Sequence, residues 1–192
     1  ARTNLNRPRE IRINIEQQDL VTFPSESYLM FGGRLTKEDG TAYANDNLVA
    51  LTNNGLMYLF NRISYQLSNQ DVEDIFHPGQ ATTMFGLLRY SDGFSKAQGL
   101  NQLWQKDTAV GTANNSGFSV RQAYLIQKPT VKGTFSFAVP LRHIFGFCDD
   151  YAKVVYGVKH TITLARKEDD DAIFRANAVD AGRVNLDKIS LF

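Results

Sequence analysis

The chain has 192 residues and a formal net charge of +1, from 21 basic and 20 acidic side chains. This length suits one domain, which can bury roughly 70% of its unfolded surface and needs no metal or disulfide, and the single Cys148 forbids an internal disulfide. The balanced charge argues against nucleic acid as the main partner, because nucleic-acid binders usually carry a strong basic excess, and no apolar run approaches the ~20 residues that span a bilayer.

The first part of the chain alternates between strand patterns and breaks. Residues 1–9 are polar and basic without a period, which predicts a flexible basic N-terminal arm. From Glu10 to Gln17, three isoleucines alternate with polar residues, which is the period of a half-buried strand. A second strand is predicted over Tyr28–Leu35, where Gly32-Gly33 indicates a bulge.

The middle of the chain combines helical spacing with a hairpin pattern. Apolar spacing predicts a short helix within Leu48–Phe60, and Pro78, which is preformed for a first helical turn, opens a second helix that ends at Leu88. Between them, two alternating runs on either side of a turn at 68–70 predict a β-hairpin. Residues 91–117 are rich in Gly, Ser, Asn, Lys and Gln, and we expect a long interface loop there.

The last part of the chain is predicted to be mostly strand. Strand patterns run over Val120–Ile126, Gly133–Val139, Val154–Leu164 and Val184–Phe192, with an acidic turn at 168–171. We therefore expect an all-β fold, an antiparallel eight-stranded jelly-roll sandwich with short helices in the loops between strands. It should form a single jelly-roll domain over residues 10–192, since no repeat or linker divides the chain.

Two stretches of the sequence carry a resemblance to a known family. One is Leu56-Met-Tyr-Leu-Phe60 followed by the hairpin from Ile63 to Glu73, and the other is Phe135-Ser-Phe-Ala-Val-Pro-Leu141 followed by Ile144-Phe-Gly-Phe-Cys-Asp149 and a strand. In this order they resemble the first jelly roll of the double-jelly-roll major capsid proteins of large DNA viruses and of Polinton-type, adintovirus-like elements. Ser68-Asn69 stands where that family often has Gly-Gly, and Asn accepts a positive φ more readily than most residues.

The resemblance implies a structural role in a virion capsid that is assembled inside the host cell. The chain would be the first half of a double-jelly-roll subunit, cut from a longer polypeptide whose second jelly roll is a partner; the alternative is a freestanding single-roll protein. Three subunits would form a pseudo-hexameric homotrimer, and these capsomers would tile an icosahedral shell, with minor capsid or penton proteins as further partners. The resemblance implies no enzyme activity, no cofactor and no small-molecule substrate.

Two segments are candidates for contacts between subunits. In the 91–117 loop, Leu100, Leu103 and Trp104 are expected to form a trimer contact around an exposed Trp; the alternative is a loop folded back over its own core. In the arm, Arg2, Arg7 and Arg9 would make weak contacts with genome, membrane or a neighbouring subunit, and the alternative is a frayed tail.

The residues that could carry chemistry lack the spacing that chemistry needs. His77, His143 and His160 form no metal-ligand pair, and we expect them to be structural. Cys148 is expected to be a buried small residue, with the neighbouring aspartates raising its pKa. The acidic run at 168–171 lacks the order of a calcium loop and is expected to be a solvated turn. No catalytic, cofactor or metal residue is therefore predicted.

Two other functional classes remain open. A carbohydrate- or ligand-binding β-sandwich can share this architecture, and exposed aromatic residues in one concave groove would favour it. An enzyme on a cupin-like barrel would need inward-facing His and carboxylate ligands, for which the sequence offers no His-x-His pair.

Overall fold

The fold is mostly β-sheet with short helices in the connections. The computed structural model describes residues 10–16, 21–109, 111–127, 131–176 and 179–192. The strands are β1 (Glu10–Ile15), β2 (Val21–Thr22), β3 (Tyr28–Lys37), β4 (Val49–Leu51), β5 (Phe60–Leu67), β6 (Gln70–Phe76), β7 (Thr134–Pro140), β8 (Val155–Tyr156), β9 (His160–Arg166), β10 (Ile173–Arg175) and β11 (Gly182–Leu191). The α-helices are α1 (Pro78–Arg89), α2 (Asp92–Lys96), α3 (Ser116–Leu125) and α4 (Gly146–Asp150), and 3-10 turns cover Met57–Leu59, Gln98–Gln102, Leu141–His143 and Asp170–Ala172.

The strands of the described residues pair into two larger and two smaller antiparallel sheets. The larger sheets have the orders β1-β9-β5-β6 and β11-β3-β7, and the smaller ones are β10-β4 and β2-β8. The described part thus holds eleven strands rather than the eight expected, and four of them are only two or three residues long and form the two smaller sheets. In the same residues, no helix is both long and apolar enough to cross a bilayer.

The two larger sheets bury one face each in a common core. Along β3, Leu29 and Phe31 are buried whereas Tyr28 and Met30 are exposed, as the period of two residues in a strand requires. Buried residues of both sheets belong to one hydrophobic cluster. Phe31 of β3 contacts Phe60 of β5 across this cluster, with ring centres 6.0 Å apart.

The predicted hairpin between β5 and β6 is confirmed. Its two-residue turn places Ser68 at φ 47° and Asn69 at φ 66°. Two consecutive residues with positive φ give the backbone twist that continues into both strands. The register keeps Ile63 opposite Ile75, with one irregularity at Tyr65.

Gly32-Gly33 serves close packing rather than a bulge in β3. The pairing of β3 with β7 runs without a break, and the register shift lies on the other neighbour, β11, between Leu186 and Lys188. A Cβ on Gly33 would lie 2.8 Å from Cζ of Phe135 and would also overlap a backbone oxygen of β11. A pairing irregularity is therefore present at Gly32-Gly33, since Leu186 pairs with Gly33 and Lys188 with Gly32, but the extra residue lies in β11 and not in β3. Gly33 itself is needed because two neighbouring strands come close to it.

Three predicted elements differ from the structure. Leu48–Phe60 is not a helix: β4 occupies its start and pairs with β10, and only Met57–Leu59 is helical. Val120–Ile126 is not a strand but lies in α3, which begins where Asn115 accepts the Phe118 N–H at 2.7 Å. The strand predicted over Val154–Leu164 divides into β8 and β9.

Other predicted elements hold or lie outside the described residues. The helix expected from Pro78 is confirmed as α1, and its proline occupies the first turn. The segment predicted as the 91–117 loop contains α2, a 3-10 turn and the start of α3. The arm over residues 1–9 lies outside the residues that the structure describes.

Candidate functional site

The expected interface anchor, Trp104, is buried inside its own chain. Trp104 is only 1% exposed and Leu103 only 3%, so the expectation of an exposed Trp is wrong and this part of the loop folds over its own core. The Trp104 ring lies under α1 and meets Tyr90 edge-on, with centres 5.0 Å apart. Leu100 is 44% exposed and remains available for a contact. Arg2, Arg7 and Arg9 lie outside the described residues.

Helix α1 packs on the domain through its small residues. Pro78, Gly79, Thr82 and Gly86 are its buried positions. A Cβ on Gly79 would lie 2.6 Å from Cγ of Tyr58, and one on Gly86 would lie 2.6 Å from Cζ3 of Trp104. Both distances are far below carbon–carbon contact, so the helix backbone rests directly on two aromatic rings.

The large apolar residues of α1 point away from the core. Met84, Phe85, Leu87 and Leu88 are all more than half exposed, and Leu88 reaches 85%. We call these four residues the α1 apolar face. A surface helix ordinarily buries its large apolar residues and exposes its polar ones. The reversed arrangement in α1 forms a contiguous apolar surface, which is typical of a binding site for another macromolecule.

Buried polar contacts fix α1 in place. The Asn54 side-chain amide donates to the Thr82 hydroxyl at 2.7 Å, and that hydroxyl donates to the Pro78 carbonyl at 2.6 Å. Asn54 and Thr82 are both buried, and the Asn54 amide also donates to the Thr83 hydroxyl at 3.1 Å, so it is bonded to two neighbouring positions of α1. The position of the helix is thus set before anything binds to its outer side.

Charged residues near the two ends of α1 are paired within the chain. Arg62 donates two hydrogen bonds to Asp74, at 2.7 and 2.8 Å. Its guanidinium also stacks over Phe76, two residues before the helix begins. At the other end Arg89 donates to both carboxylate oxygens of Asp149, the shorter bond being 2.7 Å. Each carboxylate raises the pKa of its arginine. The apolar face therefore has charged side chains of both signs near its two ends.

Comparison with known proteins identifies the family of the chain. A family model described as a double jelly roll-like domain matches residues 49–191. The chain belongs to this family. Among solved structures, the "PBCV-1 virus capsid, quasi-atomic model" is similar over 99% of the chain at 16% sequence identity, with a TM-score of 0.48, and the chain covers 40% of that capsid chain. No curated protein matches the sequence.

In this double jelly roll-like domain, two of the three histidines are hydrogen-bonded within the chain. His143 shares a 2.7 Å hydrogen bond with Gln102, and burial lowers its pKa to about 4. His160 bonds to Tyr65 and Thr22 through its two ring nitrogens, at 2.6 and 2.9 Å.

Cys148 is buried as expected, although the cause of its raised pKa differs in part from the prediction. Burial, and then the charge of Glu73, raise the pKa of its thiol to about 12. Glu73, rather than the adjacent aspartates, is the charge involved because its carboxylate accepts the Gly146 and Phe147 N–H groups at 3.0 Å. A thiol in this setting is unsuited to act as a nucleophile.

The acidic turn is partly structural rather than wholly solvated. Asp169 binds the buried Arg166 at 2.7 Å and accepts the Val184 N–H at 2.8 Å, so it joins the turn to β11. Lys167 binds Asp171 at 2.5 Å. Among the described residues, no group of three His, Cys, Asp or Glu side chains is placed to hold a metal ion.

A groove beside β2 is the best candidate for a small ligand. Its volume is about 460 Å³ and its walls are mostly apolar, with Phe23 and Phe192 among the lining residues. His160 and Thr22 also line the groove, but both ring nitrogens of the buried His160 are bonded to Tyr65 and Thr22. The groove lies beside Tyr65, near the end of β5. Helix α1 instead contacts the β5–β6 pair and begins two residues after Phe76.

Proposed function

We propose that the chain is a structural subunit of a viral capsid shell and acts by binding copies of itself rather than by catalysis. The observation that carries the proposal is an exposed apolar helix face on a double jelly roll-like domain. The resemblance of the Leu56–Glu73 and Phe135–Asp149 stretches to major capsid proteins supports the same conclusion. Specific interfaces combine an apolar centre with a polar rim, and the α1 apolar face with charged side chains near its two ends has that composition.

The finer architecture of the proposed shell follows from the resemblance. A second jelly roll of the same polypeptide would stand beside this one, and three such subunits would form a pseudo-hexameric capsomer. Closed symmetry then repeats one modest contact many times, which makes a shell stable although each contact is small. Leu100 and the basic arm with Arg2, Arg7 and Arg9 are candidates for additional contacts with neighbouring subunits.

The proposal is tested by the mass of the purified chain in solution. Sedimentation velocity and native mass spectrometry over a range of concentrations should show association from the 21.6 kDa chain to a species of three times that mass. Negative-stain electron microscopy of the polypeptide that carries both jelly rolls should show hexagonal outlines or closed shells, because a pseudo-hexameric capsomer contains six rolls. A chain that stays monomeric at every concentration and forms no particles would contradict the proposal.

A second candidate function rests on the groove beside β2. Its aromatic and apolar walls, with the Thr22 hydroxyl between them, suit an amphipathic ligand such as a sugar. Saturable binding of a glycan by the monomer, abolished by Thr22→Val and by filling the groove, would favour a ligand-binding module. Absence of saturable binding across a glycan array leaves the capsid proposal as the one to pursue.

A further inference from the structure

We infer that the α1 apolar face (Met84, Phe85, Leu87 and Leu88) is a docking surface for a second copy of this chain. The inference deepens the proposed function and rests on it, since it names the surface through which copies meet. Four large apolar side chains on two turns of one helix are exposed, while the residues of the same helix that face the domain are Pro, Gly and Thr.

The first argument is that the helix is placed for binding from outside. Replacing Gly79 or Gly86 by any larger residue would push α1 off Tyr58 or Trp104, so these positions must stay small. The Asn54–Thr82 bond then fixes the helix along its axis. A preformed surface binds with less loss of conformational entropy than one that must be ordered on contact.

The second argument is the size of the surface. A fully exposed side chain of this size carries roughly 150–200 Å², so four of them at 55–85% exposure present on the order of 500 Å². A stable interface buries about 800 Å² per partner, of which somewhat more than half is apolar. The α1 apolar face therefore suffices for the apolar centre of one such interface, and polar surface around it would supply the rest.

The third argument is charge, which favours a protein partner and in particular a second copy. Helices that lie on membranes carry several Lys or Arg residues on their polar side, whereas α1 has one, Arg89, and Asp149 neutralises it. Arg62 and Asp74 neutralise each other in the same way before the helix begins. The hollow beside Phe85 is also lined by Glu73, Arg142 and Asp150. Because both signs of charge are present, a second copy can place opposite charges together, which a surface of one sign cannot do.

The experiment compares single and double substitutions on the helix. Two variants are compared with wild type: the single substitution Leu88→Glu, and the double substitution Met84→Glu plus Leu88→Glu. Each should weaken self-association of the full chain by roughly tenfold or more, because a charge would enter the centre of the contact. Both positions are exposed, so circular dichroism and thermal unfolding should stay close to wild type. The matched control is Val120→Glu, an exposed apolar position on α3 that is 44% accessible, and its association constant should equal that of wild type.

The outcomes separate this inference from the proposed function. If wild type associates and the α1 variants associate equally well, or if Val120→Glu weakens association as much, the inference is overturned while the capsid proposal stands. A wild type that stays monomeric overturns both. Flotation of the wild-type chain with phosphatidylcholine–phosphatidylserine vesicles, lost in Leu88→Glu, would show that the face binds membrane and would also overturn the inference.

Discussion

Adding a single methyl group to α1 tests whether the helix rests on Trp104 as described. We predict that Gly86→Ala destabilises the domain, although alanine is the best helix former and glycine among the worst. A Cβ at this position overlaps the Trp104 ring, with Cζ2 at 2.7 Å and Cζ3 at 2.6 Å. The ring cannot easily retreat, because Trp104 is buried and Tyr90 packs edge-on against it.

The expected magnitude follows from two opposing contributions. The substitution gains about 1 kcal/mol of helix propensity. Overpacking against a ring that cannot move costs up to about 3 kcal/mol. The free energy of unfolding should therefore fall by about 2 kcal/mol, which corresponds to a lower Tm by about 4–8 °C for a domain of this size.

Urea unfolding followed by circular dichroism measures the difference, with an unchanged m-value as the sign that both proteins unfold to the same extent. Gly93→Ala is the matched control, because Gly93 is also helical and the nearest atom to its added Cβ, Ser91 Oγ, is 3.7 Å away. The control should be neutral or slightly more stable than wild type. If Gly86→Ala were as stable as Gly93→Ala, the direct contact between α1 and Trp104 would be refuted.

Three further predictions concern buried polar and titrating groups. Arg121→Met should lower the free energy of unfolding by about 3–5 kcal/mol, because the buried guanidinium donates to the backbone carbonyls of Leu51 and Gln105. The control Arg89→Ala, at an exposed position, should lower it by at most about 1 kcal/mol. If urea titrations gave the same loss for both variants, a structural role of Arg121 would be contradicted. The pKa of His143 is about 4 in the folded chain, below its ordinary value. The unfolded chain therefore takes up the proton first, and the free energy of unfolding falls as pH drops from about 6.5 towards about 4. His143→Asn should flatten this dependence, and parallel curves of unfolding free energy against pH for the two proteins would contradict the reasoning. The buried Cys148 thiol, with a pKa of about 12, should react with a maleimide only after unfolding, and fast labelling of the native chain would show that it is accessible.

Local sequence patterns were enough to predict the strands that bury one face in the core. The three isoleucines of β1 alternate in the sequence, and the strand they predict is present because a period of two puts them on one side of the sheet. The β5–β6 turn was equally predictable, since it needs only two neighbouring residues that tolerate positive φ. Both features depend on residues close together in sequence.

The elements that sequence analysis missed depend on contacts between distant residues. Helix α3 carries Arg121 into the core, where it bonds to Leu51 of β4, a partner seventy positions away. Trp104 is buried only because α1 lies over it, and no local pattern indicates that. Asn115 before α3 was the one available signal, because an Asn that precedes a short helix is a common N-cap.

The α1 apolar face was missed for a different reason. Pattern analysis assigns large apolar residues to the core, and Met84, Phe85 and Leu88 fit a helical period. The signal that could have corrected this is the spacing of Gly79, Thr82 and Gly86, which places three small residues on one side of the helix. A helix with small residues on one side and large apolar residues on the other can be packed on both sides.

If copies of the chain meet through α1 as proposed, its outward leucines also determine how temperature acts on their assembly. Contacts made by apolar surface lose strength on cooling, because the driving force near room temperature is the release of ordered water. Sulfate or phosphate salts act in the opposite direction and hold such contacts together. Shells joined at this helix would therefore loosen in the cold and tighten in sulfate, so chilled low-salt buffer is the medium in which separate subunits should accumulate.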